Sequence, residues 1–309
     1  MLLRATSRKL LLTGLALAIG TAPLAAVPAQ ADTASVTAAA TARPADSISA
    51  YHALFAQNPD RSGVFYFDGS TWTQVGGPAS TIVSGGSGLI ATNPSSGDLY
   101  AYNGSPNNWS RIGGPGKEFA QDGNRHVYGL SPDGGGVFQW QGGTNWIQIG
   151  GPATDIYAGG GDTLIATNPS TGDVWRYNGT PNSWTRIGGP GAQFSVDSNG
   201  TVYGLTPDRG AVFQWQGGTN WIQVGGPASS IVAGGGGTLL ATNPSTGDVW
   251  RYGGSPNNWA RIGGPGAEFT IDGNGTVYGL TPDRGAVFQW QGGTNWTQVG
   301  GPASWLAAS

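Results

Sequence analysis

Two stretches 75 residues apart carry the side chains best suited to chemistry: NPSTGDVWR at 168–176 and the same nine residues at 243–251. Each offers an amide (Asn168, Asn243), a carboxylate (Asp173, Asp248), an indole (Trp175, Trp250) and a guanidinium (Arg176, Arg251). An older copy, NPSSGDLYA, keeps Asn93 and Asp98 but has Tyr100-Ala101 where the others have Trp-Arg. Loop tips with Asp208-Arg209 and Asp283-Arg284 add further hydrogen-bonding groups. Such a set suits non-covalent binding of a neutral sugar, whose apolar face stacks on an indole while its hydroxyls bond to amide, carboxylate and guanidinium. The competing explanation is that these Asn and Asp side chains cap their own turns.

Covalent chemistry has little material. The chain has no Cys and only His52 and His126, which excludes thiol catalysis, disulfides and the usual triads and zinc sets. Asp197-Ser-Asn-Gly200 and Asp272-Gly-Asn-Gly275 faintly resemble calcium loops but lack the further carboxylates such a loop needs. The expectation is a binding protein with no catalytic residues, no metal and no cofactor.

The elements that must position these groups follow from an internal repeat. The motif W-x-x-[IV]-G-G-P occurs seven times, with its tryptophan at 72, 109, 146, 184, 221, 259 and 296, in steps of 37 or 38 residues. Each unit holds four short apolar segments separated by turn chemistry; in the last one, strands are predicted near 268–272, 276–281, 286–290 and 296–299. Four antiparallel strands per unit of this length predict an all-β fold, a seven-bladed β-propeller. Units of two kinds alternate, and 153–227 matches 228–302 at 61 of 75 positions. The first blade lacks an initial strand, whereas Ser304-Trp305-Leu306-Ala307-Ala308 occupies the register of one. The C-terminal strand is therefore expected to pair with the N-terminal blade and close the ring, with both Leu306 and Trp305 removed from solvent.

Outside the repeat, residues 1–31 have the charged, apolar and Ala-x-Ala zones of a secretory signal peptide, and 32–47 read as a flexible linker before a propeller domain over 48–309. The apolar run is too short to span a bilayer, so no transmembrane segment is expected in the mature chain. Losing Arg4, Arg8 and Lys9 moves the formal charge from −3 to −6, which argues against a nucleic-acid partner.

The W-x-x-[IV]-G-G pattern, followed by a small-residue strand, G-T-V-Y and then G-x-[VL]-[FYW], resembles the tectonin repeat of secreted β-propeller lectins and covers essentially all of 51–309. The resemblance implies a lectin whose sugar contacts lie in pockets between blades. With the residues above, the expectation is a secreted, extracellular, multivalent binder of cell-surface or cell-wall glycans. The alternative is a non-catalytic scaffold that docks another secreted protein.

Overall fold

A computed structural model describes residues 53–309; the signal peptide and linker assigned to 1–47 lie outside the described residues. Among those described are seven four-stranded antiparallel sheets, numbered here as blades I to VII. Blade VII has strands Glu268–Ile271, Val277–Leu280, Val287–Trp290 and Trp296–Gly300, within a residue of the predicted bounds. Blades II to VI follow the same plan from Ile82, Glu118, Ile156, Gln193 and Ser230 onward.

The strands are short because the sequence interrupts them with residues made for turns. In the QGGTN hairpins, Gly217 and Gly218 take φ of 101° and 57°, a conformation that costs a side chain about 1–2 kcal/mol. Between turns, apolar residues of one blade interdigitate with those of the next; one such cluster combines Leu205, Val212 and Val224 of blade V with Ile231 and Leu239 of blade VI. The core is thus a circle of inter-blade layers, and no blade buries both its faces alone.

The seven-fold motif has a cross-blade meaning. The motif tryptophan of each blade donates its Nε1–H to a carbonyl of the preceding blade: Trp259 to Val224 and Trp296 to Ile262, both at 2.7 Å, with the ring completed by Trp72 to Val299 at 2.6 Å. The carbonyl belongs to the Ile or Val of the preceding blade's own motif. The glycine that follows it must be a glycine, because a Cβ at Gly225 would lie 3.0 Å from Trp259 Nε1, with the same crowding at Gly76, Gly113, Gly150, Gly188, Gly263 and Gly300. One motif therefore supplies a key to the blade before it and a lock to the blade after it.

Closure occurs as expected. Trp305–Ala308 pairs antiparallel with Leu54–Gln57, from Leu54 opposite Ala308 to Gln57 opposite Trp305. Ala53 and Ser309 exchange backbone hydrogen bonds, each at 3.0 Å. Leu306 is buried, but Trp305 is 43% exposed, contrary to expectation. Alternation puts Leu306 and Trp305 on opposite faces: Leu306 joins the layer with blade VII, and on the other face it is Ala307, two residues after Trp305, that enters the layer with blade II. The strand is further held by Glu268 of blade VII, whose Oε1 accepts the Leu306 N–H at 3.3 Å.

Candidate functional site

Loops between second and third strands emerge on the same side of the ring as the GGP crossovers between blades. There, clefts repeat around the circle. In the cleft between blades V and VI, the crossover Gly225-Gly226-Pro227 forms one wall, and Asn243, Trp250 and Trp259 of blade VI form the other. The equivalent cleft between I and II has Gly76-Gly77-Pro78 facing Asn93, Tyr100 and Trp109. A second kind of cleft, between IV and V and between VI and VII, substitutes phenylalanine and threonine: Phe213 and Thr206, or Phe288 and Thr281. The residues that line the clefts thus alternate with the blades.

The predicted residues divide into groups. The three asparagines cap their loops: Asn243 Oδ1 accepts the N–H groups of Ser245 and Thr246 at 2.8 and 3.0 Å, and Asn93 and Asn168 do the same for their own neighbours. Capping uses only the oxygen, so the NH₂ end of Asn243 remains as a donor on the cleft wall. Both the turn role and the placement in a cleft are therefore realised by one side chain.

Asp98, Asp173 and Asp248 close the same loops at their other end but are engaged by an arginine thirteen residues on, in the fourth strand. The pairs are Asp98–Arg111 at 2.8 Å, Asp173–Arg186 at 2.9 Å and Asp248–Arg261 at 2.9 Å. Hydrogen bonding to the guanidinium holds each of these carboxyls below the usual carboxylate range. They sit at the rim, charged and already partnered.

Neighbours on the third strand separate, as its period of two requires. Trp250 faces the cleft with the preceding blade, whereas Arg251 stacks over Trp290 of the following blade, 5.6 Å from the ring centre. Arg176 lies likewise 5.9 Å over Trp215. The arginines thus act at a different inter-blade layer from the tryptophans next to them in sequence.

The tips contribute through the backbone. Asp208 Oδ1 accepts from Thr206 Oγ1 at 2.6 Å and Gly210 N at 2.9 Å, fixing the turn, and Asp283 does the same with Thr281 and Gly285. Arg209 accepts the Ala228 N–H through its carbonyl at 3.1 Å and donates from Nη1 to the Ser229 carbonyl; Arg284 repeats this with Ala303 and Ser304. Each tip therefore braces the crossover leaving its own blade. What sequence reasoning missed is the participation of the motif tryptophans in the clefts and of the open second glycine, Gly226, where a Cβ would meet nothing within 4 Å.

With this geometry in view, the comparisons with known proteins are informative about family and fold. The tectonin domain profile matches residues 48–223, more than half of the chain. No curated protein matches the sequence. Among solved structures, the CRINKLY WD40 ectodomain of the receptor kinase ACR4 from Arabidopsis thaliana is similar, with 12% identity, 82% of this chain and all of that chain covered, and a TM-score of 0.50. YCF48 from Cyanidioschyzon merolae is similar at 12% identity over 74% of this chain and 88% of its own, with a TM-score of 0.51. A streptogramin B lyase has 10% identity over 75% of this chain and 91% of its own, also with a TM-score of 0.51. At such identities the likeness concerns the propeller fold alone.

Proposed function

Because the chain belongs to the tectonin domain family, we propose that this lectin-like propeller is a secreted, non-catalytic, multivalent binder of neutral glycans. The single observation that carries the reading is the cleft of blade VI, in which Trp250, the Asn243 amide and the Gly226 backbone converge. The indole offers a stacking surface, the amide and the uncovered crossover backbone offer hydrogen bonds, and Asp248–Arg261 makes a polar rim. Blade IV carries the same residues as Asn168, Asp173 and Trp175, and blade II a variant with Asn93, Asp98 and Tyr100. Arg209 and Arg284 support the reading by bracing the crossovers. Several weak sites on one rigid disc give avidity toward a surface that displays many copies of one sugar.

The test is a glycan array probed with the protein and with the double variant Trp175→Ala/Trp250→Ala. We expect binding to a restricted set of neutral glycans, and at least a tenfold loss in the variant, about 1.4 kcal/mol, with the melting temperature little changed. No glycan bound by the wild-type protein at high surface density would overturn the proposal in favour of a protein-docking scaffold. Turnover of a glycoside would overturn its non-catalytic part.

A further inference from the structure

The opposite side of the disc holds a constellation that the near-identical repeats do not share. The turn between the first two strands of blade III contains Asp122 and ends at His126; the corresponding turn of blade IV contains Asp162. Asp122 Oδ2 lies 2.7 Å from His126 Nδ1, and Asp162 Oδ1 lies 3.3 Å from the same nitrogen. All three ligand atoms fall within 4.8 Å of one another. The Asp122 side chain is fully buried, while those of His126 and Asp162 are 40% and 61% exposed, so the group has a closed floor and an open mouth.

The internal repeat supplies a control. Asp122 has counterparts in Asp197 and Asp272, each of which caps its turn through two backbone N–H groups. The other two members are departures: His126 stands where blades V and VII have Thr201 and Thr276, and Asp162 stands where blade VI has Gly237. Asp162 also keeps the left-handed conformation of that glycine, with φ of 53° against 66°. Two departures on different blades, 36 residues apart in sequence, thus converge on one buried carboxylate. Supporting bonds are in place as well: Tyr128 Oη donates to Asp122 Oδ2 at 3.0 Å, and Asn124 Nδ2 donates to Asp162 Oδ1 at 2.7 Å.

We propose that Asp122, His126 and Asp162 bind a first-row divalent transition-metal ion, of which zinc is the probe of choice, clamping blade III to blade IV. One imidazole with two carboxylates is a nitrogen–oxygen donor set that suits zinc, iron or nickel better than magnesium. A tetrahedral ion with bonds of about 2.0–2.1 Å has ligand–ligand edges of about 3.3 Å. The His126–Asp162 separation already meets that value; on binding, the half-exposed imidazole moves by roughly 0.6 Å from Asp122, and the two carboxylate oxygens, which lie within 4.8 Å of each other, settle to the same edge. Both carboxylates only accept, so Nδ1 carries a hydrogen between them in the metal-free form; the ion takes the place of that proton. Three protein ligands leave a coordination position for water or a ligand oxygen. Tyr128 and Asn124 orient the two carboxylates.

The full chain, purified without a histidine tag, is titrated with Zn²⁺ by calorimetry, and Co²⁺ uptake is followed by its visible spectrum. Expected is one ion per chain and a higher melting temperature with zinc. His126→Thr and Asp162→Gly install the residues of the sister blades, on backbones that already accommodate them, and each is expected to weaken uptake at least 100-fold. Tyr128→Phe, one bond further out, is expected to weaken it about tenfold. Absence of uptake by the wild-type protein would show the group to be an ion pair only, and uptake unchanged in both ligand variants would place the ion elsewhere; either result overturns the proposal.

Discussion

At the residue scale, the first strands of blades III, V and VII begin with Glu118, Gln193 and Glu268, and each reaches across to the first strand of the next blade. Glu118 Oε2 accepts the Ile156 N–H at 2.9 Å and Glu268 Oε1 that of Leu306 at 3.3 Å; Gln193 makes both possible bonds, accepting from Ile231 N at 3.0 Å and donating to Ile231 O at 2.9 Å. A carboxylate can do only the first. Burial pushes Glu118 and Glu268 up to about 7, although the backbone donor opposes the shift in both cases. The folded state thus prefers the protonated acid, and its stability benefits fully below the ordinary glutamate range, then falls as pH rises through 7. Glu268→Gln should therefore leave stability at pH 5 nearly unchanged and raise it at pH 8, by up to roughly 3 kcal/mol for a shift of this size. Denaturant unfolding at both pH values checks this, and an equal effect of the variant at the two would refute it. The Asp–Arg pairs are another case in which side chains far apart in sequence meet. Asp248 and Arg261 could not be matched by reading along the chain, because the turn length and the bulge in that hairpin decide which rim residues face each other.

At the element scale, the GGP crossover holds two adjacent glycines with different duties. Gly225 lies against the Trp259 indole at Nε1, Cε2 and Cζ2, whereas a Cβ on Gly226 would meet nothing within 4 Å. Gly225→Ala is expected to destabilise the protein by about 1–3 kcal/mol, as overpacking does, and Gly226→Ala by less than about 0.5 kcal/mol. Thermal melts of the two variants side by side decide it; equal losses would mean that the glycines serve only the turn. The strands themselves were legible, since β-type runs alternate with Gly, Asn, Asp and Pro in every unit, and the period of the tryptophans fixed the blade count. The duty of each glycine was not. It depends on a neighbouring blade whose distance and tilt no local pattern records. For the same reason the surroundings of neighbouring residues were not legible: Asn243 and Trp250 line one cleft, while Arg251 turns toward Trp290 in another layer.

At the scale of the whole molecule, each innermost strand neighbours its counterparts in the blades on either side, and the strand at 305–308 completes the circle between blades VII and II. The sequence register identified this strand, but which of its two large residues faced the core depended on alternation relative to a partner strand at the far end of the chain. Leu306→Asp, which puts a carboxylate among Leu54, Ala56 and Tyr278, should cost at least about 3 kcal/mol. Trp305→Ala should cost clearly less, since that residue is 43% exposed. Equal sensitivity of the two positions in unfolding experiments would contradict the closure described.

Seven is an odd number, and a circle of odd size cannot alternate two kinds of unit without a fault. Going round from blade II, the Asn–Trp kind and the Thr–Phe kind succeed one another until blade VII, which must then meet blade I out of turn. Blade I absorbs the mismatch by being a hybrid: its cleft with VII sets Asn58, proper to one kind, beside Phe65, proper to the other. Parity thus forces one seam at which the alternation fails, however faithfully the 75-residue unit is copied.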